Sequence, residues 1–238
     1  MRQLTKHTWR HVLRGGRDSL PMCVGVFPVG LSFGLLAVQG GLSIWEAFFM
    51  SAIVFAGSAQ FMALGMLGQG ASIAEIVVST FLMNLRHLVM STYVMNRLQQ
   101  TRLPKKLALA FNLCDESFAL FSLKTAEQGD EDYLLGVHVT LYLVWLGSTV
   151  GGCLLLSVLP AVISDSLGIA FYAAFIRLLL PNLRGSGRLY LLVLLTFVIN
   201  FALSHVMPAS LATIFSILLG AGLGVWLVPD LEPKEDSV

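Results

Sequence analysis

The apolar residues of this chain arrive in long blocks separated by short polar joints, and no other feature constrains its fold as strongly. Blocks of roughly 18 or more apolar residues are long enough to cross the hydrocarbon core of a bilayer as helices. The candidate segments are Leu20–Gln39, Ile44–Leu67, Ser72–Met95, Lys106–Leu123, Tyr133–Val158, Gly168–Leu180, Leu189–Ser204 and Pro208–Val228. The pattern predicts an all-α, polytopic membrane helix bundle with about seven membrane segments, some broken or re-entrant. Composition agrees: 56% of residues are hydrophobic and 12% charged, about half the charge of an ordinary soluble domain. In 238 residues there is no room for a separate soluble domain, so residues 1–238 read as one transmembrane domain with a polar tail at 229–238.

The charges are informative by position. Residues 1–18 carry Arg2, Lys6, Arg10, Arg14 and Arg17 against one acid, Asp18. Such a flank before the first apolar block predicts a cytoplasmic N-terminus, and the block runs on too far for a cleaved signal peptide. Arg97, Arg102, Lys105 and Lys106 form a basic joint, Arg184 and Arg188 another, and Glu127, Asp130, Glu131 and Asp132 an acidic one. Three full crossings before Asn96 would put the first basic joint on the wrong side. The conflict disappears if Leu20–Gln39, weakened by Gly25, Pro28, Gly30 and Gly34, dips in and returns. The short Gly168–Leu180 segment reads as a re-entrant or half helix, or as a tilted one leaning on its neighbours.

Several classes are excluded by what the sequence lacks. It has no HExxH, GxSxG or P-loop motif and no cysteine–histidine metal cluster, so neither an enzyme nor a metal or cofactor is expected. A net charge of +1 gives no reason to expect nucleic acid. Cys23, Cys114 and Cys153 lie inside apolar segments and read as small core residues. Ala52, Ala56, Ala59 and Ala63 at helical spacing, and the Gly220/Gly224 pair, read as faces for close helix packing.

Ionisable side chains at membrane depth are costly and mark function or tight pairing. Asn84, Arg86 and His87 lie near the middle of Ser72–Met95, with Thr80 and Ser91 extending the polar stripe. Asp115 and Glu116 lie near the middle of Lys106–Leu123, with Asn112 one turn earlier. A basic and an acidic pair at similar depth are expected to meet, either as a packing staple or as a solute site. In the second case Arg86 suits a carboxylate, Asp115 or Glu116 an ammonium or a transported proton, and His87 a proton relay. A third site is Gly57-Ser58-Ala59-Gln60, where adjacent Gly and Ser loosen a helix and free backbone groups to line a cavity. His138, Tyr142 and Trp145 share a helix face and line the path or form an interhelical hydrogen-bond ladder.

Taken in order, Phe27-Pro28-Val29-Gly30, Gly57-Ser58-Ala59-Gln60, Asn84-Leu85-Arg86-His87 and Asp115-Glu116-Ser117-Phe118-Ala119 resemble the AzlC family of branched-chain amino acid permeases. The resemblance implies a secondary transporter in the bacterial inner membrane. Its expected substrates are branched-chain amino acids, L-valine with isoleucine, leucine and methionine, moved outward; coupling to protons is expected separately, from the titratable groups at membrane depth and the missing motor motif. It also implies a small AzlD-type membrane subunit as partner. The alternatives are a non-transporting scaffold subunit and a carrier of another small solute.

Overall fold

The computed structural model describes residues 2–125, 128–155 and 186–227. The Gly168–Leu180 segment, Glu127, Arg184 and the 229–238 tail lie outside the described residues. Among those described, ten helices and no strand occur. They are α1 Arg2–Gln39, α2 Ile44–Val54, α3 Gly57–Gly68, α4 Ile73–Asn84, α5 Arg86–Arg97, α6 Leu103–Phe111, α7 Asp115–Ser122, α8 Glu131–Leu155, α9 Gly187–Ser204 and α10 Ala209–Leu227. By length and hydropathy α1, α8 and α9 suffice to cross a membrane, and α4 with α5 make a fourth span if counted as one bent pair. The chain folds into two compact units, residues 1–64 with 84–171 and residues 65–83 with 172–238.

In the second unit α9 packs on α10. An added Cβ at Gly220 would lie 2.8 Å from the Thr196 hydroxyl, and one at Gly224 would touch Leu192 at 3.4 Å. The expected small-residue face is therefore the contact face, as lipid-embedded helices require for close approach. Asn200 Nδ2 donates to Ser216 Oγ at 3.0 Å and ties the two helices.

In the first unit α1 and α8 run parallel and pack more extensively than any other pair. Glycines set their separation. Gly136 lies against the Val12 backbone, Gly152 against Leu31, Gly34 against Thr149 and Cys153, and Gly30 against Ser148. Here the structure corrects the expectation for Leu20–Gln39. It does not dip and return but continues as one helix through Pro21 and Pro28. Burial of its glycine face against α8 outweighs the weak helix propensity of those residues, and Ser32 Oγ bonds the Pro28 carbonyl at 2.9 Å.

The segments that do turn back are Ile44–Leu67 and Lys106–Leu123. The start of α6 is held at the start of α8 by Lys105, whose ammonium lies 2.7 Å from Glu131 and 2.5 Å from Asp132. Burial alone would push that ammonium's pKa down, but the hydrogen bonds it donates to Asp132 and Glu131 raise it above the usual lysine value. The far end of α7 returns to the same level, for Lys124 pairs with Asp18 at 2.7 Å and lies over the Tyr133 ring. Arg97, at the end of α5, donates to the Phe121 and Lys124 carbonyls at 3.1 and 2.6 Å. So α6 and α7 enter and leave at one end of the unit, with their tip at Asn112–Cys114.

The α2–α3 pair does the opposite. It starts where α1 ends, Ser51 reaches Thr149 on α8, and Phe55 packs on Tyr142 further back toward the start of α8. Then α3 reverses, and Leu64 comes to lie against Gly40 just past the end of α1. This hairpin enters from the end opposite the first. One hairpin is thus closed at each end of the first unit. That arrangement brings the N-terminal arginines, the Arg97–Lys106 joint and the acidic joint to one end. It resolves the charge conflict through a different segment from the one expected. The sharp turn at the α2–α3 tip is Phe55 in the left-handed region, φ 43°, which is costly for a bulky residue and persists because packing imposes it.

Candidate functional site

Each hairpin tip frees backbone groups and begins a helix with polar residues. Ser58 is the second residue of α3, Asp115 and Glu116 are the first two of α7, and Arg86 and His87 open α5 after the interruption at Leu85. Arg86 joins the two tips. Its Nη2 lies 2.6 Å from Ser58 Oγ and 3.0 Å from Asp115 Oδ2. Arg86 is eleven residues from Arg97 along α5, about 16 Å of helix, which is close to half of a hydrocarbon core about 30 Å thick. Three motifs far apart in the sequence therefore meet near mid-depth.

The ion pair is open. The side chains of Arg86 and Asp115 are 43% and 46% exposed, unlike a closed packing staple. Both contacts use Nη2, so Nη1 and Nε have no partner among the described residues. That leaves an edge of the guanidinium fork, with donors in the spacing that suits a carboxylate. His87 is half-buried and close to both Arg86 and Asp115. Asn84 ends α4, and its Oδ1 is buried without a hydrogen-bond partner among the described residues. Glu116 forms no ion pair among the described residues and lies beside Cys114.

Gly57 and Gln60 serve a different layer. An added Cβ at Gly57 would lie 3.0 Å from the Trp145 ring, so this glycine lets the α3 tip close on α8. Gln60 is fully buried and does not line the open pair. Its amide donates to Ser51 Oγ at 3.0 Å, and its carbonyl accepts from Trp145 Nε1 at 3.2 Å. Ser51 Oγ lies in turn 2.9 Å from Thr149 Oγ1. Tyr142 donates to the Ala52 carbonyl at 2.8 Å, and His138 Nε2 lies 3.1 Å from Ser117 Oγ. The face His138–Tyr142–Trp145 is thus an interhelical ladder, each rung fixing one hairpin to α8. Ser51, Thr149 and Ser117 complete it. Sequence reasoning passed over Ser51 and Thr149, and met Ser117 only within a motif, because a single hydroxyl in an apolar run carries no signal until its partner is known.

A cavity of about 270 Å³ opens beside the α6–α7 tip. Asn112, His138 and Tyr142 supply its polar lining, and Phe111, Leu135, Val139 and Leu143 the apolar part.

Two hairpins entering from opposite ends, with a cation, an anion and freed helix starts at their tips, are the architecture of a membrane transporter. Non-helical backbone at membrane depth is tolerated where it lines a solute path, and broken helices mark the binding site. The chain belongs to the AzlC family, whose model, AzlC protein, matches residues 21–159. It is similar to the inner membrane protein YgaZ of Escherichia coli, 33% identical over 71% of this chain and 72% of that one. An uncharacterized membrane protein of Archaeoglobus fulgidus is 37% identical over 70% of this chain and 74% of its own. The branched-chain amino acid transport protein AzlC of Bacillus subtilis is 29% identical over 56% of this chain and 54% of its own. No solved structure matches.

Proposed function

We propose that this chain is the large subunit of a secondary exporter of branched-chain amino acids in a bacterial inner membrane. L-valine is the leading substrate, with isoleucine, leucine and methionine beside it. A small AzlD-type membrane subunit completes the carrier. The observation that carries this reading is the half-exposed Arg86 between the two hairpin tips, with Nη1 and Nε uncommitted. A zwitterion needs a cation for its carboxylate, an anion for its ammonium and an apolar place for its side chain. Arg86 supplies the first, and Asp115 or Glu116 the second. The Bacillus subtilis relative's name supports the substrate class.

Proton coupling follows from the same pair. Protonating Asp115 removes the counter-charge of Arg86, so the link between the tips weakens and the arginine passes to the substrate carboxylate. Glu116 and His87 are the nearby groups that would pass the proton on. The arginines and lysines gathered at one end favour a cytoplasmic N-terminus.

The test is efflux of labelled valine from preloaded cells lacking other exporters, with this chain alone, with its small partner, and with the partnered Arg86→Ala variant. Faster efflux that Arg86→Ala abolishes at normal membrane expression supports the reading. Arg86→Lys should recover only part of it, because a point charge lacks the planar fork. Unchanged efflux with a well-expressed pair would sink the assignment. Asp115→Asn or Glu116→Gln should uncouple transport from a pH gradient, and coupling intact in both would remove them from that role.

A further inference from the structure

Within the first unit, α8 is gripped by its neighbours in two different ways. Against α1 the contact is backbone on backbone: an added Cβ at Gly34 would overlap the Thr149 carbonyl oxygen, and one at Gly152 the Leu31 carbonyl oxygen. Helices keyed this closely leave no room to slide. The α6–α7 hairpin has no glycine between Leu103 and Ser122. It joins the core through large side chains, Leu109, Leu113 and Phe121, in one cluster with Leu134, Val137 and Leu141 of α8. Interfaces made of side chains shift by small shears that backbone contacts forbid.

The charged links of this hairpin lie at its two ends. At the tip there is the Arg86–Asp115 pair. At the base every link runs through a long cationic side chain. Lys105, the third residue of α6, reaches Glu131 and Asp132. Lys124, just past α7, reaches Asp18 of α1 at 2.7 Å, and the Tyr133 hydroxyl donates to the same carboxylate oxygen at 3.2 Å. Arg97 of α5 donates to the Phe121 and Lys124 carbonyls and lies over the Phe121 ring, 4.7 Å from its centroid. Lys124 and Asp18 are 21% and 30% exposed, so water can replace either partner when the contact opens. The tip link weakens when a substrate carboxylate takes Arg86, and the base then carries the hairpin alone.

We infer that the Asp18–Lys124 pair, with Arg97 and Lys105 beside it, is a gate at the arginine-rich end, and that the α6–α7 hairpin moves there while α1 and α8 stay fixed. This rests on the transport reading above and adds which part of the first unit moves. The test uses the full chain with its small partner in proteoliposomes loaded with labelled valine, with Cys23, Cys114 and Cys153 replaced by alanine. Asp18→Cys with Lys124→Cys is joined by a flexible bis-methanethiosulfonate reagent, and the loss of free thiols measures how far. Gly16→Cys with Thr140→Cys is the control across α1 and α8. An added Cβ at Gly16 lies 2.9 Å from Thr140 Oγ1, within the reach of a disulfide.

Joining Asp18→Cys to Lys124→Cys should lower valine efflux at least about tenfold, as locking a gate does, and a thiol reductant should restore it. Joining the control pair should leave efflux within about twofold of its unjoined rate, because those helices do not part. Valine should also slow the joining of the gate pair severalfold, since an occupied Arg86 frees the hairpin; this readout serves even where the unjoined variant exports poorly. Efflux indifferent to the gate cross-link, or a rate of joining indifferent to valine, would overturn the gate while leaving export standing. So would gate thiols that cannot be joined, or equal loss from the control pair. Absence of valine efflux from the wild-type pair would refute the transport reading and this inference with it.

Discussion

Replacing Gly152 by alanine tests the glycine-set contact on which both hairpins are hung. An added Cβ there would overlap the Leu31 carbonyl oxygen and lie 2.8 Å from its carbonyl carbon and 3.0 Å from its Cα. Those atoms are backbone in the middle of α1, so no rotamer change relieves the clash. Restoring van der Waals contact with that oxygen requires the two helices to part by about 1 Å or more. Overpacking of this kind costs typically about 1–3 kcal/mol, and alanine's better helix propensity returns less than about 1 kcal/mol of that. The net loss is about 1 kcal/mol, which for a chain of this size lowers Tm by about 2–4 °C. Thermal unfolding of the detergent-purified protein, followed by loss of the monodisperse peak, measures it. Gly147→Ala and Gly25→Ala are the controls, since an added Cβ at either meets nothing within 4 Å, and both should be neutral or slightly stabilising. Equal shifts for Gly152→Ala and Gly147→Ala would refute the argument that close α1–α8 contact is what the glycines provide.

Re-entry of α6–α7 predicts that single cysteines replacing Gln99 and Gln128 label from the same side of the membrane, and a cysteine replacing Ser43 from the other. Labelling of the Gln99 and Gln128 positions from opposite sides would mean that Lys106–Leu123 crosses, and the hairpin would be wrong. Gln60→Leu strands the buried Trp145 Nε1, so it should cost about 1–3 kcal/mol and lower Tm by several degrees. Combined with Trp145→Phe the losses should be less than additive, since both remove one hydrogen bond; full additivity would deny the link.

The class of the protein is legible in the chain without a structure. Hydrophobicity is a local property, so apolar runs long enough to bury in lipid are legible without a structure. The same logic made Arg86, His87, Asp115 and Glu116 conspicuous, because a charge inside such a run stands out against its neighbours. It also showed that Gly57-Ser58 loosens its helix, and the break at Phe55–Ala56 lies next to it. Which runs cross and which return is set by long-range packing. Residues 44–68 are as long and apolar as a crossing helix, and only the contact of Leu64 with Gly40 shows that they turn back. The proline- and glycine-containing α1 looks weaker, yet it continues unbroken because its glycines bury against α8. Reversal and continuity are settled by partners more than a hundred residues away, such as Asp18 with Lys124 and Leu31 with Gly152. A local pattern holds no information about such partners, and the meeting of Ser58, Arg86 and Asp115 depends on all of them.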